Sequence, residues 1–166
     1  MRVLSVDPSS TNLGWAVLDD DSLIAHGVIS TKKVVYERRY LHITDELMKL
    51  RKEYSFDEVA CERAIRFEGK RIPALEVAVK AIEKWAERRK WVDHPLPIYF
   101  YSPSEWKRSV AGAGNADKAA VARCVCLIYP QLPEDVSDHE TDAIAIGQHH
   151  LGVRRLELMS IRQVMQ

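Results

Sequence analysis

Asp7 closes a short apolar run, and that placement limits the fold more than any other feature. Met1 to Trp15 reads Met-Arg-Val-Leu-Ser-Val-Asp-Pro-Ser-Ser-Thr-Asn-Leu-Gly-Trp. Val3-Leu4-Ser5-Val6 suits a central strand covered on both faces. The breakers Pro8, Ser9, Ser10, Asn12 and Gly14 end it, and Trp15-Ala16-Val17-Leu18 is a second strand pairing back on the first. A carboxylate at the end of a buried strand has two readings. It bonds the following amides as a turn former, or it projects into a cleft as a metal ligand or general base. The choice rests on whether other acidic groups arrive at the same place.

Asp19-Asp20-Asp21-Ser22 reads as a solvated hairpin turn, since no calcium-ligand pattern follows it. A third strand spans Leu23 to Ile29. Thr31 to Lys33 then leads into a long helix with the seam Tyr36, Tyr40, Ile43, Leu47, Leu50 and Tyr54 at spacings of three and four. Asp57-Glu58-Val59-Ala60-Cys61 is a fourth strand, and Glu62 is again a carboxylate at a strand end. Residues 63–72 read as a loop or irregular helix entry. Pro73 opens a helix whose stripe of Leu75, Val79, Ile82, Trp85 and Ala86 is buried or faces a partner. Ile98-Tyr99-Phe100-Tyr101 is the fifth strand.

Ser102-Pro103-Ser104-Glu105 is a helix start with a capping box and proline at the first position. That helix ends before Gly112-Ala113-Gly114, which serves as a tight turn or cradles phosphate through its amides. Asn115 is expected to cap the next helix, from Lys118 to about Tyr129. The last helix opens at Ser137, with Glu140 as a second capping-box partner. His139 and Asp142, three apart, share a face of it, while Ala143, Ile146 and Gly147 let it lie close to a sheet. The expected domain is 1–150, and the tail 151–166 adds a short basic amphipathic helix with no chemistry assigned.

Length and charge narrow the setting. A chain of 166 residues is one domain. With no apolar run near ~18 residues and no signal peptide, it reads as soluble and cytoplasmic. Three cysteines do not make a disulfide framework, and Cys124 and Cys126 read as core or partly buried thiols of a helix rather than a metal site. The 24 basic residues balance 24 acidic ones, which withdraws the general argument for nucleic acid but not the local one. Basic groups cluster at Arg63, Arg66, Lys70 and Arg71, at Arg88-Arg89-Lys90, at Lys107-Arg108 and at Arg154-Arg155.

The acidic groups converge. Asp7 and Glu62 terminate strands that could be neighbours, and a helix brings His139 and Asp142 from the far end of the chain. Two divalent ions about 4 Å apart need a shared carboxylate with flanking ligands, and mostly oxygen ligation favours Mg²⁺ or Mn²⁺ over Zn²⁺.

The order of these features resembles a known family. Val-Asp-Pro-Ser-Ser-Thr-Asn-Leu-Gly-Trp-Ala around Asp7 matches its first strand, with Ser9 where glycine is common. Ala-Cys-Glu-Arg at Glu62 matches its second acid. Pro103-Ser104-Glu105-Trp106-Lys107 and Gly112-Ala113-Gly114-Asn115-Ala116-Asp117-Lys118 match its Pro-Ser-x-x-Lys and Gly-x-Gly-x-Ala-x-Lys segment. His139-Glu140-Thr141-Asp142-Ala143-Ile144-Ala145 matches its final acidic helix. From about Met1 to His150 the chain is similar to the RuvC Holliday junction resolvases. The resemblance implies an α/β chain of RNase H-like fold, a five-stranded mixed sheet flanked by helices. It implies a homodimer joined through the Pro73 to Arg89 helix, with Trp85 as an apolar anchor, nicking two strands of a four-way DNA junction symmetrically. Asp7, Glu62, His139 and Asp142 would be both the catalytic residues and the ligands of two Mg²⁺ ions, Mn²⁺ substituting. Asp7 would bridge, and water activated by the ions would attack. Lys107 and Lys118 would contact the phosphate backbone, joined on the DNA by Arg63, Arg66 and Phe67. Ile65 competes with Phe67 for stacking on bases, and Asp138 with His139 as third ligand. Helical geometry turns Asp138 by ~100° from His139, which favours His139.

Other classes compete. A sugar-kinase or actin-like ATPase would use the hairpin after Asp7 for phosphate, but needs a second domain that 166 residues do not hold. A related nuclease would act on flaps, forks or structured RNA. A binding-only protein would leave clustered carboxylates repelling one another without use. The host is a bacterial cell or a phage-infected one.

Overall fold

The computed structural model describes residues 1–9, 11–63, 73–87 and 95–164. Its strands are β1 (Arg2–Asp7), β2 (Asn12–Asp19), β3 (Ser22–Ser30), β4 (Glu58–Glu62) and β5 (Ile98–Tyr101), joined in one sheet of order β3-β2-β1-β4-β5. β1, β2 and β3 form an antiparallel meander, and β4 and β5 extend β1 in parallel. The expected five-stranded mixed sheet is the one observed.

Alternation along each strand decides which layer each side chain enters. Leu4, Val6, Leu13, Val17, Val59 and Cys61 point into a core shared with α1 (Arg39–Tyr54) and α2 (Pro73–Glu87). Val3, Ala16, Leu18, Ala60 and Tyr101 point into a second core under α3 (Pro103–Ala111), α4 (Lys118–Ile128) and α5 (Asp138–Val164). The sheet is therefore covered on both sides, as the near-continuous apolar runs of β1 and β4 require.

Three local expectations are corrected. Tyr36 lies in a short 3-10 turn, Tyr36–Arg38, and is exposed, so the buried α1 seam comprises Ile43, Thr44, Leu47 and Leu50. The cap of α4 is Asp117, not Asn115: its carboxylate accepts the Ala120 N–H at 2.7 Å. In Asn-Ala-Asp both polar residues are competent caps, and the nearer one to the helix takes the bond. Trp85 is 1 % exposed and packs on Phe56 at 5.9 Å, so it belongs to this chain's own core and is not an anchor for a second copy.

The helix begun at Asp138 continues through Leu151 to Val164 without a break. Near its middle a buried polar network ties it to the sheet. His150, fully buried, bonds Glu58 through Nε2 at 2.9 Å and the Tyr101 hydroxyl through Nδ1 at 2.8 Å. Arg154 closes a forked pair on the same Glu58 carboxylate at 3.0 and 3.1 Å.

Candidate active site

Strand parity brings the acidic groups to one place. Asp7 follows Val3 and Ser5 onto the α5 side of β1, and Glu62 follows Glu58 and Ala60 onto the same side of β4. The parallel register pairs Val6 with Cys61, so Asp7 and Glu62 stand one step further on, at adjacent strand ends. This is the crevice outside the carboxyl ends of parallel strands, the usual ligand position in an open α/β sheet.

The first turn of α5 closes the crevice. Ser137 and Glu140 cap it reciprocally: the Glu140 carboxylate accepts the Ser137 N–H at 3.1 Å and its hydroxyl at 2.6 Å. His26 of β3 reaches the same carboxylate at 2.7 Å, pinning the turn to the sheet. Gly14, paired with Asp7 in the β1–β2 ladder, makes the approach possible, because any Cβ there would meet the His139 carbonyl oxygen. Gly147 plays the same part lower on α5, against Leu18 and Ser5.

His139 Nδ1 donates to Asp7 Oδ2 at 3.0 Å, and that bond raises the imidazole's pKa. Glu62 is held from the other side, its Oε2 accepting the Trp106 indole N–H at 3.0 Å. Burial, then the charge of Asp7, pushes the Glu62 carboxyl up to about 7. Asp142 is 8 % exposed, and its Oδ1 is buried with no hydrogen-bond partner among the described residues. Burial, then Asp7, raises its carboxyl to about 6, against the opposing charges of Lys118 and Lys107. Perturbed acids of this kind in a crevice mark functional sites.

The two lysines are placed differently. Lys107 Nζ donates to the Ala116 carbonyl at 3.0 Å and lies 5.5 Å from the centre of the Trp106 ring. Lys118, more exposed, stands 3.4 Å from Asp138. Asp138 is thus turned to Lys118, while His139 is the neighbour of Asp7. Arg63 is exposed beside β5, its backbone N–H on the Tyr101 carbonyl at 2.8 Å. Arg66 and Phe67, with Ile65, Lys70, Arg71 and the Arg88-Arg89-Lys90 run, lie outside the described residues.

Among the described residues no three acidic, imidazole or thiol side chains converge tightly enough to form a finished cation cage. The donor chemistry nonetheless fits a hard divalent ion. Carboxylate oxygens dominate it, one imidazole joins them, and the orphaned Asp142 Oδ1 is a buried acceptor in need of a cation. Sequence reasoning missed three contributors: Trp106 on Glu62, Gly14 under His139, and His26 on the capping Glu140. Of these only Trp106 left a signal, a tryptophan in the first turn of the helix that follows the fifth strand.

Known proteins resemble this chain over nearly its whole length. The family profile described as Crossover junction endodeoxyribonuclease RuvC matches residues 3–150. A protein of that name from Cutibacterium acnes is 32 % identical over 170 residues, covering 94 % of this chain and 83 % of its own. Its namesake from Petrotoga mobilis is 30 % identical, covering 93 % and 96 %. The structure of T. thermophilus RuvC in complex with Holliday junction substrate superposes with a TM-score of 0.79 at 25 % identity, covering 95 % of this chain and 96 % of that one. With its sheet order, its crevice and its motifs all in place, this chain belongs to the RuvC family of crossover junction endodeoxyribonucleases.

Proposed function

We propose that the chain is a metal-dependent endonuclease that resolves four-way DNA junctions by paired, symmetric nicks. The observation that carries this reading is the frustrated acidic crevice. Burial, then the charge of Asp7, raises the pKa of both Glu62 and Asp142, and a buried Asp142 oxygen has no partner among the described residues. Such a set repels itself unless cations occupy it.

Asp7, Glu62, His139 and Asp142 are the residues that would hold two Mg²⁺ ions, Mn²⁺ substituting. When bound, the ions supply water activation and charge neutralisation for in-line phosphodiester hydrolysis. The chain's own groups do the rest. Lys107 and Lys118, whose charges already reach Asp142, hold the phosphate. His139 keeps its Nδ1 proton on Asp7, which leaves Nε2 as the ring nitrogen that would meet an ion. Arg63, Arg66 and Phe67 engage the junction.

Half-buried Leu75 and Val79, one turn apart on α2, give a small apolar surface for a second copy, which supports a homodimer through that helix. Two such sites, related by two-fold symmetry, suit symmetric nicks. We assign the protein to the cytoplasm of a bacterial or phage-infected cell. Among the described residues no helix is long and apolar enough to cross a membrane. The division into a nuclease domain at 1–150 and a tail at 151–166 is retained as a functional one, since all the motifs precede the tail.

The test is magnesium-dependent cleavage of a labelled, immobile four-way junction. Paired nicks on opposite strands, absent in Asp7→Asn and on linear duplex, are the expected result. Tight junction binding without nicking in Mg²⁺ or Mn²⁺ would overturn the catalytic reading. Equal cutting of flaps and forks would replace it with a broader structure-selective nuclease.

A further inference from the structure

The first turn of α3 is built to reach back to Glu62. β5 pairs Tyr101 with Glu62. The chain then turns at once into the cap, where the Glu105 carboxylate accepts the Ser102 N–H at 2.6 Å and its hydroxyl at 2.7 Å. That cap sets the helix direction, and one residue later Trp106 drops into the second core, 1 % exposed. A buried indole N–H needs an acceptor, and the structure gives it Glu62 Oε2 at 3.0 Å. Lys107 lies over the outer side of the same ring.

We propose that Trp106 is a positioning residue for the nuclease site: its indole N–H anchors Glu62 Oε2 and leaves Oε1 as the oxygen presented to a divalent ion. The inference rests on the metal-dependent reading of the crevice and names what orients one of its ligands. A carboxylate on a freely turning side chain must be ordered when an ion binds. Here the ordering is done during folding, by a ring fixed in the core on one side and capped by a lysine on the other. Partners of this kind behind a metal ligand typically contribute 10–100-fold to metal affinity.

The experiment compares wild type, Trp106→Phe and Asp7→Asn. Phenylalanine keeps most of the buried ring and removes the N–H. Calorimetric titration with Mn²⁺ is expected to show about tenfold weaker binding for Trp106→Phe, and almost none for Asp7→Asn. In junction cleavage, kcat of Trp106→Phe falls at limiting Mn²⁺ and recovers in excess, while KM for the junction stays put. A merely structural role would lower the melting temperature without moving that metal dependence. In the wild type, where no folding defect intervenes, the Trp106 indole signal in nitrogen-15 NMR is expected to exchange slowly, to shift in Glu62→Ala, and to broaden first among the indoles as Mn²⁺ is added. Unchanged Mn²⁺ affinity in Trp106→Phe, beside normal wild-type binding and lost Asp7→Asn binding, would overturn the inference alone. Wild type binding Mn²⁺ no better than Asp7→Asn would overturn the metal reading and the inference with it.

Discussion

Gly14 and His139 occupy the same space in turn: a Cβ on Gly14 would stand 1.9 Å from the His139 carbonyl oxygen. The clash would be with helix backbone, which cannot rotate away as a side-chain end can. Gly14→Ala is therefore expected to push the first turn of α5 off the sheet and break the 3.0 Å bond from His139 to Asp7. Overpacking of this kind costs about 1–3 kcal/mol or more. Thermal denaturation should show a lowered midpoint and junction nicking should be lost. A variant with wild-type stability and rate would contradict the packing described.

Glu62 and Asp142 have carboxyls raised to about 7 and about 6. In metal-free protein the folded state then holds more protons than the unfolded state between about pH 4 and 7. Stability from these two groups accordingly falls as pH rises through that window. With EDTA present, Glu62→Gln and Asp142→Asn should each melt about 4–8 °C above wild type at pH 7.5, an advantage that disappears by about pH 4. Added Mg²⁺ should raise the wild-type midpoint and leave the variants nearly unmoved. Parallel melting curves at both pH values would exclude carboxyls raised by burial and by Asp7.

His150 titrates with the opposite sign. Burial, its largest influence, lowers the imidazole's pKa, so below about 6.5 the unfolded state takes up a proton that the folded state resists. Stability from this residue is complete above that pH and declines as pH falls. His150→Asn should cost about 2–4 kcal/mol at pH 8 by breaking the bonds to Glu58 and Tyr101. In urea denaturation the gap to wild type should narrow toward pH 5. A constant gap would rule out a neutral buried imidazole.

Lys107 and Lys118 differ in what they give up to meet a phosphate. Lys107 must release the Ala116 carbonyl, whereas Lys118 leaves only an exposed 3.4 Å pair with Asp138. Each alanine substitution should weaken junction binding and lower the slope of log affinity against log salt by about 0.9. The loss should be uniform across junction sequences, as backbone contacts predict. Fluorescence anisotropy over a salt series measures both. An unchanged slope would remove the lysine from the DNA surface.

The strands were legible because apolar runs bounded by breakers announce them, and the carboxylates at Asp7 and Glu62 stood where those runs stopped. His139 and Asp142 were legible from their spacing on a helix and from the family's pattern of motifs. What stayed hidden was tertiary. Trp85 lies on an apolar stripe that reads alike whether it faces Phe56 or a second copy, and only the packing of α2 on α1 decides. Asn115 and Asp117 are equal candidates for one cap until the helix shows where it begins. Trp106 stood inside a motif with no role assigned to it, and the fold buries it in the second core. Its bond to Glu62 depends on how β5 hands the chain to α3, and no periodicity encodes that.

The bond from His139 to Asp7 joins residues 132 positions apart, and this separation sets when cutting can begin. On a ribosome adding roughly 5–20 residues each second, Asp7 emerges on the order of ten seconds before its partner exists. The sheet from β1 to β5 can form in that interval, but the crevice stays open along one side. The nascent protein therefore has no complete site until its final helix is made, and a broken message yields a fragment with one face of the sheet left uncovered.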